Sequence, residues 1–334
     1  MKHSIFFDFF PPPLFLQMPS AGMDISDDAV RFVYFIQTHH KNQRSIKIAG
    51  ERLLPEGVVE RGVIKKSKEL KEIIKSIKED HKSLEFVRVS LPEEESYLFS
   101  VQIPKVSQDE IKDVVSSRLE EFIPIKSSEA TFDYRVLSVA NDKLGVEVSV
   151  VSNTVVVSYS NVFENTGLIP IYFEVESKAT TRSAVPSEEK GAFAVVDIKK
   201  SKTSIYLVVN KVIQMSSSVG IGAKDLTVHG GQILDDSKEA VAGLKDEIEK
   251  RCRYWDTHKS KGNGHSSEIE GVILCGEGAS IKGLPNYLRS HLARSVSKAN
   301  PWINVIDFDH YVPPLTLDDS LRYAVAIGLA TPFN

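Results

Sequence analysis

The chain has 334 residues, of which 42% are hydrophobic and 26% are charged, and its formal net charge is -4. This balance is ordinary for a globular protein with more than one core, and it leaves no basic footprint for nucleic acid. Cys252 and Cys275 are its two cysteines, which excludes a disulfide framework or zinc site and favours a reducing cytoplasm. No apolar run approaches the roughly 20 residues that a membrane-spanning helix needs.

The first segment of the chain, 1–21, is apolar but is interrupted by Asp8 and by prolines at positions 11–13. These interruptions rule out a spanning helix or the apolar region of a signal peptide. We expect an extended arm that lies on the protein's own surface. The alternative is an arm that contacts a partner or a membrane.

Two segments share one plan of strand, aspartate, polar turn and strand: "GMDISDDAVRFVYFI" and "VVDIKKSKTSIYLVV". When the two segments are aligned at Asp24 and Asp197, apolar or β-branched residues also fall at matching positions. These pairs are Ile25 with Ile198, Val30 with Thr203, Phe32 with Ile205, and Phe35 with Val208. The pattern predicts two related hairpins, one near the start of each half of the chain.

Between the hairpins, hydrophobic periodicity predicts a mixture of strands and helices. The predicted strands are 44–55, 84–92, 95–104, 130–138, 145–152 and 169–175, and the predicted helices are 67–80, 107–124 and 153–167. Ser107 and Glu110 have the spacing of a capping box for the second of these helices. The β-branched residues 155–157 argue against the third helix, which Gly167 would close. The polar segment 180–192 is predicted to be the boundary between the two halves.

The second half contains a predicted helix over 237–259 and then a strand, a glycine turn and a helix over 268–296. Such a turn lets backbone N–H groups approach a nucleotide closely. The glycines at 276, 278 and 283 lack the spacing of a dinucleotide fingerprint or a P-loop, so the turn by itself is also compatible with no ligand.

Together, the two hairpins and the glycine turn favour a nucleotide clamped between two related domains. Each hairpin turn offers N–H and hydroxyl groups to phosphates, and Asp24 and Asp197 are candidates to hold a hydrated Mg²⁺. The plainer interpretation is that both aspartates only form turns, that Thr203 is a strand residue and that Lys250 is a solvated charge.

These segments, in this order, resemble the PilM family of type IV pilus assembly proteins. This family lies within the actin-like ATPase superfamily and is close in plan to the cell-division protein FtsA. The matching segments are "GMDISDDAVRFV", "VSLPEEESYLFSVQIPKVSQDEIKDVVSSRLEEFIPI", "VVDIKKSKTSIYLV", "GLKDEIEKRCRYW", "VILCGEGASIKGL" and "LRYAVAIGLA". The resemblance implies an α/β fold with two actin-like, ribonuclease H-like domains flanking a nucleotide cleft, and a small inserted α+β subdomain.

The resemblance also implies a division of the chain. After the arm at 1–21, the first actin-like domain would comprise 22–95 and 176–190 and be closed by 318–331. The inserted subdomain would be 96–175, and the second actin-like domain 191–317. The resemblance implies ATP and Mg²⁺ as ligands, with Asp24 and Asp197 linked to the metal. It assigns no catalytic residue. The implied nucleotide contacts are Asp24, Ser26, Asp197, Lys199, Thr203, Gly222, Lys250, Gly276 and Gly278.

Several residues depart from the family pattern of glycine and small hydroxyl residues. They are Asp27 and Asp28 in the first turn, Lys199, Lys200 and Lys202 in the second turn, and Ala223 and Glu277 further on. At roughly 5 Å and an effective dielectric constant of about 20, each added carboxylate would repel a phosphate charge by about 3 kcal/mol. The departures argue against ATP turnover and leave the hairpin strands intact.

The function implied by the resemblance is a cytoplasmic scaffold of type IV pilus assembly, peripheral to the inner membrane through its partners. It would bind the cytoplasmic tail of a PilN-like membrane protein, with ATP as a candidate gate. The implied groove lies between the first domain and the inserted subdomain, with the strand 96–104 and the helix 107–122 nearest to it. The alternatives are an active ATP hydrolase and an FtsA-like filament former, and the ending "AIGLATPFN" lacks the amphipathic helix expected of the latter.

Overall fold

The structure is a computed structural model, and it describes residues 19–37, 44–140, 142–227, 238–258 and 268–331. The arm predicted for 1–21 lies outside the described residues, apart from its last three. Ser20 and Ala21 already belong to the first strand.

The described residues form strands and helices in mixed order. The strands are β1 (Ser20–Ile25), β2 (Ala29–Gln37), β3 (Arg44–Leu53), β4 (Val59–Glu60), β5 (Val63–Ile64), β6 (Phe86–Leu91), β7 (Ser96–Pro104), β8 (Ala130–Ala140), β9 (Lys143–Ser152), β10 (Ile169–Val175), β11 (Ala192–Ile198), β12 (Thr203–Val209), β13 (Val212–Val219), β14 (Gly271–Cys275) and β15 (Ser295–Lys298). The helices are α1 (Ser67–Asp80), α2 (Ile111–Arg118), α3 (Asn153–Asn161), α4 (Glu176–Ala184), α5 (Ala223–Leu226), α6 (Lys238–His258), α7 (Leu284–His291), α8 (Leu317–Ser320) and α9 (Ala324–Ala330). Within the described ranges, none of these helices is long and apolar enough to cross a bilayer.

Two five-stranded sheets repeat one topology. Their orders are β10-β6-β1-β2-β3 and β15-β14-β11-β12-β13. In each sheet an antiparallel hairpin carries its aspartate near the turn, and the first hairpin strand pairs with a parallel strand on its other side. The registers of the hairpins correspond, since Ile25 pairs with Val30 and Ile198 with Thr203. The structure therefore contains the duplication that the two sequence segments predict.

Each large sheet is covered by a helix with an apolar stripe. In the first sheet, Leu70, Ile74 and Ile77 of α1 are fully buried and share a core with Met23 and Phe32. The helix spans the predicted 67–80 because its apolar residues recur at helical spacing and face the sheet. In the second sheet, β12 is buried along its whole length, as expected for a strand with both faces covered.

A third sheet, with order β7-β9-β8, has its own small core. Its apolar face, which includes Val146 and Val148, packs on Ile111 and Val115 of α2. The predicted helix 107–124 is shorter in the structure, and a 3-10 turn follows it at Leu119–Glu121.

The inserted sheet ends earlier than the predicted subdomain 96–175. β10 pairs in parallel with β6 in the first large sheet, which the local pattern could not reveal because strand pairing is a long-range contact. The preceding α3 also packs on the first core, where the buried Tyr159 donates its hydroxyl to the Gly62 carbonyl. The β-branched run does not prevent this helix, because Ser152 caps it and Val155 is buried.

The predicted boundary at 180–192 is not wholly a linker. Its first part lies in α4, a buried helix that packs against α9. Small polar residues make this close contact possible: Thr180 and Ser183 are fully buried. Gly328 of α9 is so close that a Cβ atom there would lie 1.8 Å from the Ala179 carbonyl oxygen.

Candidate functional site

The two hairpin turns face each other across a cleft between the large sheets. The cavity between them is lined by residues from both halves of the chain, including Asp24, Arg31, Asp197, Lys199 and Gly276. Its volume is about 10 Å³, which is room for roughly one water molecule. Pockets that bind small molecules are usually about 300–1,000 Å³.

The first turn is held by hydrogen bonds within its own hairpin and to its neighbouring strand. Buried Asp24 accepts a hydrogen bond from the Ser90 hydroxyl at 2.8 Å. The Ser26 hydroxyl donates to the Ala29 carbonyl at 2.9 Å and accepts from the Arg31 guanidinium at 3.1 Å. Both predicted residues of this turn are therefore already occupied by protein partners.

Arg31 gathers three carboxylates around one buried guanidinium. It lies 2.7 Å from Asp28, 2.6 Å from Glu51 on β3, and 3.5 Å from Glu277 in the glycine turn of the second half. Burial tends to raise the pKa of Asp28, but the hydrogen bond and charge of Arg31 hold it below its ordinary value. The pair with Glu277 joins the two halves of the chain across the cleft.

The second turn places two buried ammonium groups against acidic residues. The Lys199 Nζ lies 3.6 Å from Asp24 Oδ2 and 2.9 Å from Glu176 Oε1, and Lys202 pairs with Glu176 at 3.3 Å and with Glu94. Burial would lower the pKa of Lys199, but the nearby carboxylates raise it well above its usual value. Burial would raise the pKa of Glu176, but the charges of Lys199 and Lys202 keep it below its usual value.

Asp197 lies beside the glycine turn and is fully buried. Burial raises its pKa to about 6, despite the opposing charge of Lys199. Gly276 has φ of +76°, and a Cβ atom there would lie 2.5 Å from the Asp197 carboxylate. Glycine is therefore required at this position both by the left-handed backbone and by the close approach.

The other predicted contacts are divided between the cleft and the surface. Thr203 is buried and donates its hydroxyl to the Ile221 carbonyl at 2.6 Å. Gly222 packs on the backbone of the second turn, and Gly278 packs on Ile198 at the base of that turn. Lys250 is not among the residues lining the cavity, because its side chain on α6 is 67% exposed and pairs with Glu247.

Several residues that depart from the family pattern make contacts across the cleft. Besides the contacts of Lys199 and Glu277, the Ser201 hydroxyl donates to Asp27 at 3.1 Å. The same Asp27 carboxylate accepts from the backbone N–H groups of Arg61 and Gly62, both at 3.1 Å. An acidic first turn thus meets a basic second turn directly.

This arrangement does not fit a magnesium–nucleotide complex. The cavity of about 10 Å³ has no volume for phosphates, and Mg²⁺ requires about six oxygen ligands near 2.1 Å. Among the residues that the structure describes, no group of three or more His, Cys, Asp or Glu side chains is arranged to hold a metal. The position between Asp24 and Glu176 is taken by the Lys199 ammonium group.

Sequence reasoning missed two central residues, Glu176 and Arg31. Glu176 directly follows β10, which runs parallel to its neighbour, and ligands in α/β folds gather at the carboxyl ends of such strands. The position of Glu176 at the end of this strand was therefore a signal that it belongs to the site. Arg31 gave no signal, because the partners Glu51 and Glu277 come from distant parts of the chain.

Comparisons with known proteins connect this architecture with pilus assembly. The chain resembles the PilM-PilN type IV pilus biogenesis complex, with a TM-score of 0.79 and 20% identity, covering 94% of this chain and 98% of that chain. It also resembles the ethanolamine utilization protein EutJ from Carboxydothermus hydrogenoformans (TM-score 0.49, 12% identity, 93% of this chain and 88% of that chain). A third similar structure is the cytoplasmic domain of EpsL, an inner membrane component of the type II secretion system of Vibrio cholerae (TM-score 0.48, 11% identity, 94% and 96%).

No curated protein matches the chain. The likeness to the PilM-PilN structure shows the fold, which is two actin-like domains flanking a cleft. A family model described as "Type IV pilus assembly protein PilM" matches residues 22–247, about two thirds of the chain. The chain therefore belongs to the PilM family of type IV pilus assembly proteins.

Proposed function

We propose that this protein is a cytoplasmic scaffold of type IV pilus assembly that binds the cytoplasmic tail of a PilN-like inner-membrane protein. Family membership and the PilM–PilN pairing in a similar structure support this proposal. Its location would be at the inner membrane, through this partner. The observation that carries the proposal is the charged face that the inserted sheet turns toward the first domain.

This face is built by the alternation of side chains along the sheet. One face of β9 packs its apolar residues on α2, so the opposite face carries Glu147 and Ser149. Glu147 is buried and pairs with Arg135 of β8 at 3.4 Å and with Lys178 of α4 at 3.1 Å. These ion pairs join the sheet to the first domain, and we place the tail-binding groove beside them.

Two sheet edges form the walls of this groove. β8 is the outermost strand of the inserted sheet, and β10 is the outermost strand of the first large sheet. Asp133 of β8 is paired in register with Ser149 of β9, so it lies on the same face of the inserted sheet as Glu147. Burial, followed by the charges of Glu174 and Asp133, raises the pKa of Tyr172 on β10 to about 12. An edge strand offers backbone groups to an extended peptide, and exposed side chains beside it provide selectivity.

The groove differs from the surface that the sequence suggested. α2 lies on the opposite face of the inserted sheet from Lys178, so the predicted helix does not line the groove. On β7, Leu98 is already packed in the core of the second domain. We therefore propose β8 and β10 as the tail-binding strands.

A charge reversal on β8 tests the proposal. Cytoplasmic segments next to a membrane helix are enriched in lysine and arginine, so exposed Asp133 is suited to attract such a tail. We expect Asp133→Lys to weaken binding of a fluorescent PilN-like tail peptide about fivefold or more, measured by anisotropy at low ionic strength.

The matched control is Asp113→Lys, the same substitution at an exposed position on α2. It should leave the dissociation constant unchanged, because α2 faces away from the groove. Equal weakening by both substitutions would indicate only a change in net charge. Loss of binding in the α2 variant alone would place the tail on the other face of the sheet and contradict the proposed groove.

A further inference from the structure

Two buried carboxylates contact one ammonium group in the cleft, and a third, Asp197, lines the same cavity. Asp24, Asp197 and Glu176 are each no more than 2% exposed, and the charge of each of them acts on Lys199. One oxygen of Asp197 is buried without a hydrogen-bond partner. Buried carboxylates this close together require a compensating positive charge.

The Lys199 ammonium group and two of its carboxylate partners come from opposite sides of the cleft. Asp24 lies in β1 of the first sheet and Glu176 begins α4, whereas Lys199 belongs to the turn after β11 of the second sheet. A lysine ammonium is a compact point charge on a flexible stem, so it can reach a position between carboxylates. Side-chain contacts from the same two turns, including the pair of Ser201 with Asp27, close the cleft around it.

We propose that the Lys199 ammonium group takes the place of a divalent cation, and that the chain thereby holds its two actin-like domains together without a metal. Two carboxylates, Asp24 and Glu176, face this position, and the protein supplies the positive charge between them from its own second hairpin. The basic turn and the acidic turn are thus two halves of one internal contact. This proposal is independent of the tail-binding groove.

Cation rescue of a lysine variant tests the proposal. Lys199→Ala removes the ammonium group, leaves Asp24 without its ion pair and Glu176 with Lys202 alone, and opens a space beside them. We expect a lower melting temperature than wild type in EDTA. Millimolar MgCl₂ should raise the melting temperature of this variant by about 5 °C or more, because a cation that binds only the folded state stabilises it. Wild type should show no saturable response to MgCl₂ when ionic strength is held constant with KCl.

Two further variants separate charge from space. Lys199→Met also removes the charge but fills the position, so it should be destabilised without rescue by MgCl₂. Lys200→Ala changes the exposed neighbour in the same turn and should behave as wild type. Each variant is also refolded from urea with and without MgCl₂, so that a chain that folds only with metal still gives a result.

The proposal predicts rescue in Lys199→Ala and in none of the other proteins. It would be overturned by a saturable MgCl₂ response in wild type that EDTA reverses. It would also be overturned if Lys199→Ala were as stable as wild type, or if this variant remained destabilised or unfolded at every MgCl₂ concentration.

Discussion

Arg31 and its three carboxylates show how charged residues in this cleft pair with one another. Asp28 and Glu277 would each repel a phosphate if they faced one, but both lie beside the Arg31 guanidinium. The sequence identifies them as departures from the family pattern. It does not identify the pairing, because Arg31 and Glu277 are far apart in the chain and meet only after both sheets have formed.

The Asp28 ion pair should give stability that depends on pH. Its pKa is below the ordinary value of 3.8 in the folded protein, so the pair stabilises the fold above pH 3.8 and loses this contribution as pH falls through the folded pKa. We expect Asp28→Asn to lower the free energy of unfolding by about 2 kcal/mol at neutral pH. In urea titrations, the difference from wild type should shrink below pH 3.8.

Asp80→Asn is the matched control for this prediction. Asp80 pairs with Arg52 at the surface, where both side chains are at least 36% exposed. Exposed pairs contribute only about 0–1 kcal/mol, so this variant should be nearly as stable as wild type. A loss for Asp28→Asn that is as small as the loss for Asp80→Asn would show that the buried network does not stabilise the fold.

At the scale of elements, local pattern predicted the strands and helices whose apolar residues face a core. The stripe of α1 and the two hairpins are of this kind, since their periodicity is visible within a few turns. α4 is the opposite case. Its buried face is made of small polar residues such as Thr180 and Ser183, which have the composition of a linker until α9 packs on them.

The contact between α4 and α9 should be intolerant of a single added carbon. A Cβ atom on Gly328 would lie 1.8 Å from a backbone oxygen of α4, so the two helices would have to separate. We expect Gly328→Ala to destabilise the protein by about 2 kcal/mol or more, although alanine is the better helix former by about 1 kcal/mol. Thermal unfolding followed by circular dichroism measures this loss.

Gly243→Ala provides the control within another helix. A Cβ atom on Gly243 of α6 would meet only the end of the Ile221 side chain, at 3.3 Å. This side chain can move, so the variant should melt at the same temperature as wild type or higher. If both alanine variants were equally stable, the close approach of α4 and α9 would have no energetic importance.

At the scale of the whole molecule, the described residues contain one sheet topology used twice, and a small three-stranded sheet is inserted in the first half. The duplication could be predicted because each hairpin is local in sequence. The end of the inserted sheet could not be predicted, because the pairing of β10 with β6 connects distant segments. The charged residues of the two turns find their partners only when the two halves of the chain face each other.

In the function we propose, the protein is a scaffold that binds its partner with the cleft already closed. The cleft and the groove use different surfaces: Lys199 and its partners hold the first, and β8 and β10 bound the second. Since the chain supplies its own cation, the groove should be formed in the absence of nucleotide. Partner binding should therefore not depend on magnesium or ATP.

The most direct test is the dissociation constant of wild-type protein for a PilN-like tail peptide, measured by fluorescence anisotropy in EDTA and again in millimolar Mg²⁺-ATP. The account predicts saturable binding in EDTA, with the same dissociation constant after Mg²⁺-ATP is added. Absence of binding in EDTA, followed by binding once Mg²⁺-ATP is present, would show a nucleotide-gated cleft and contradict the account.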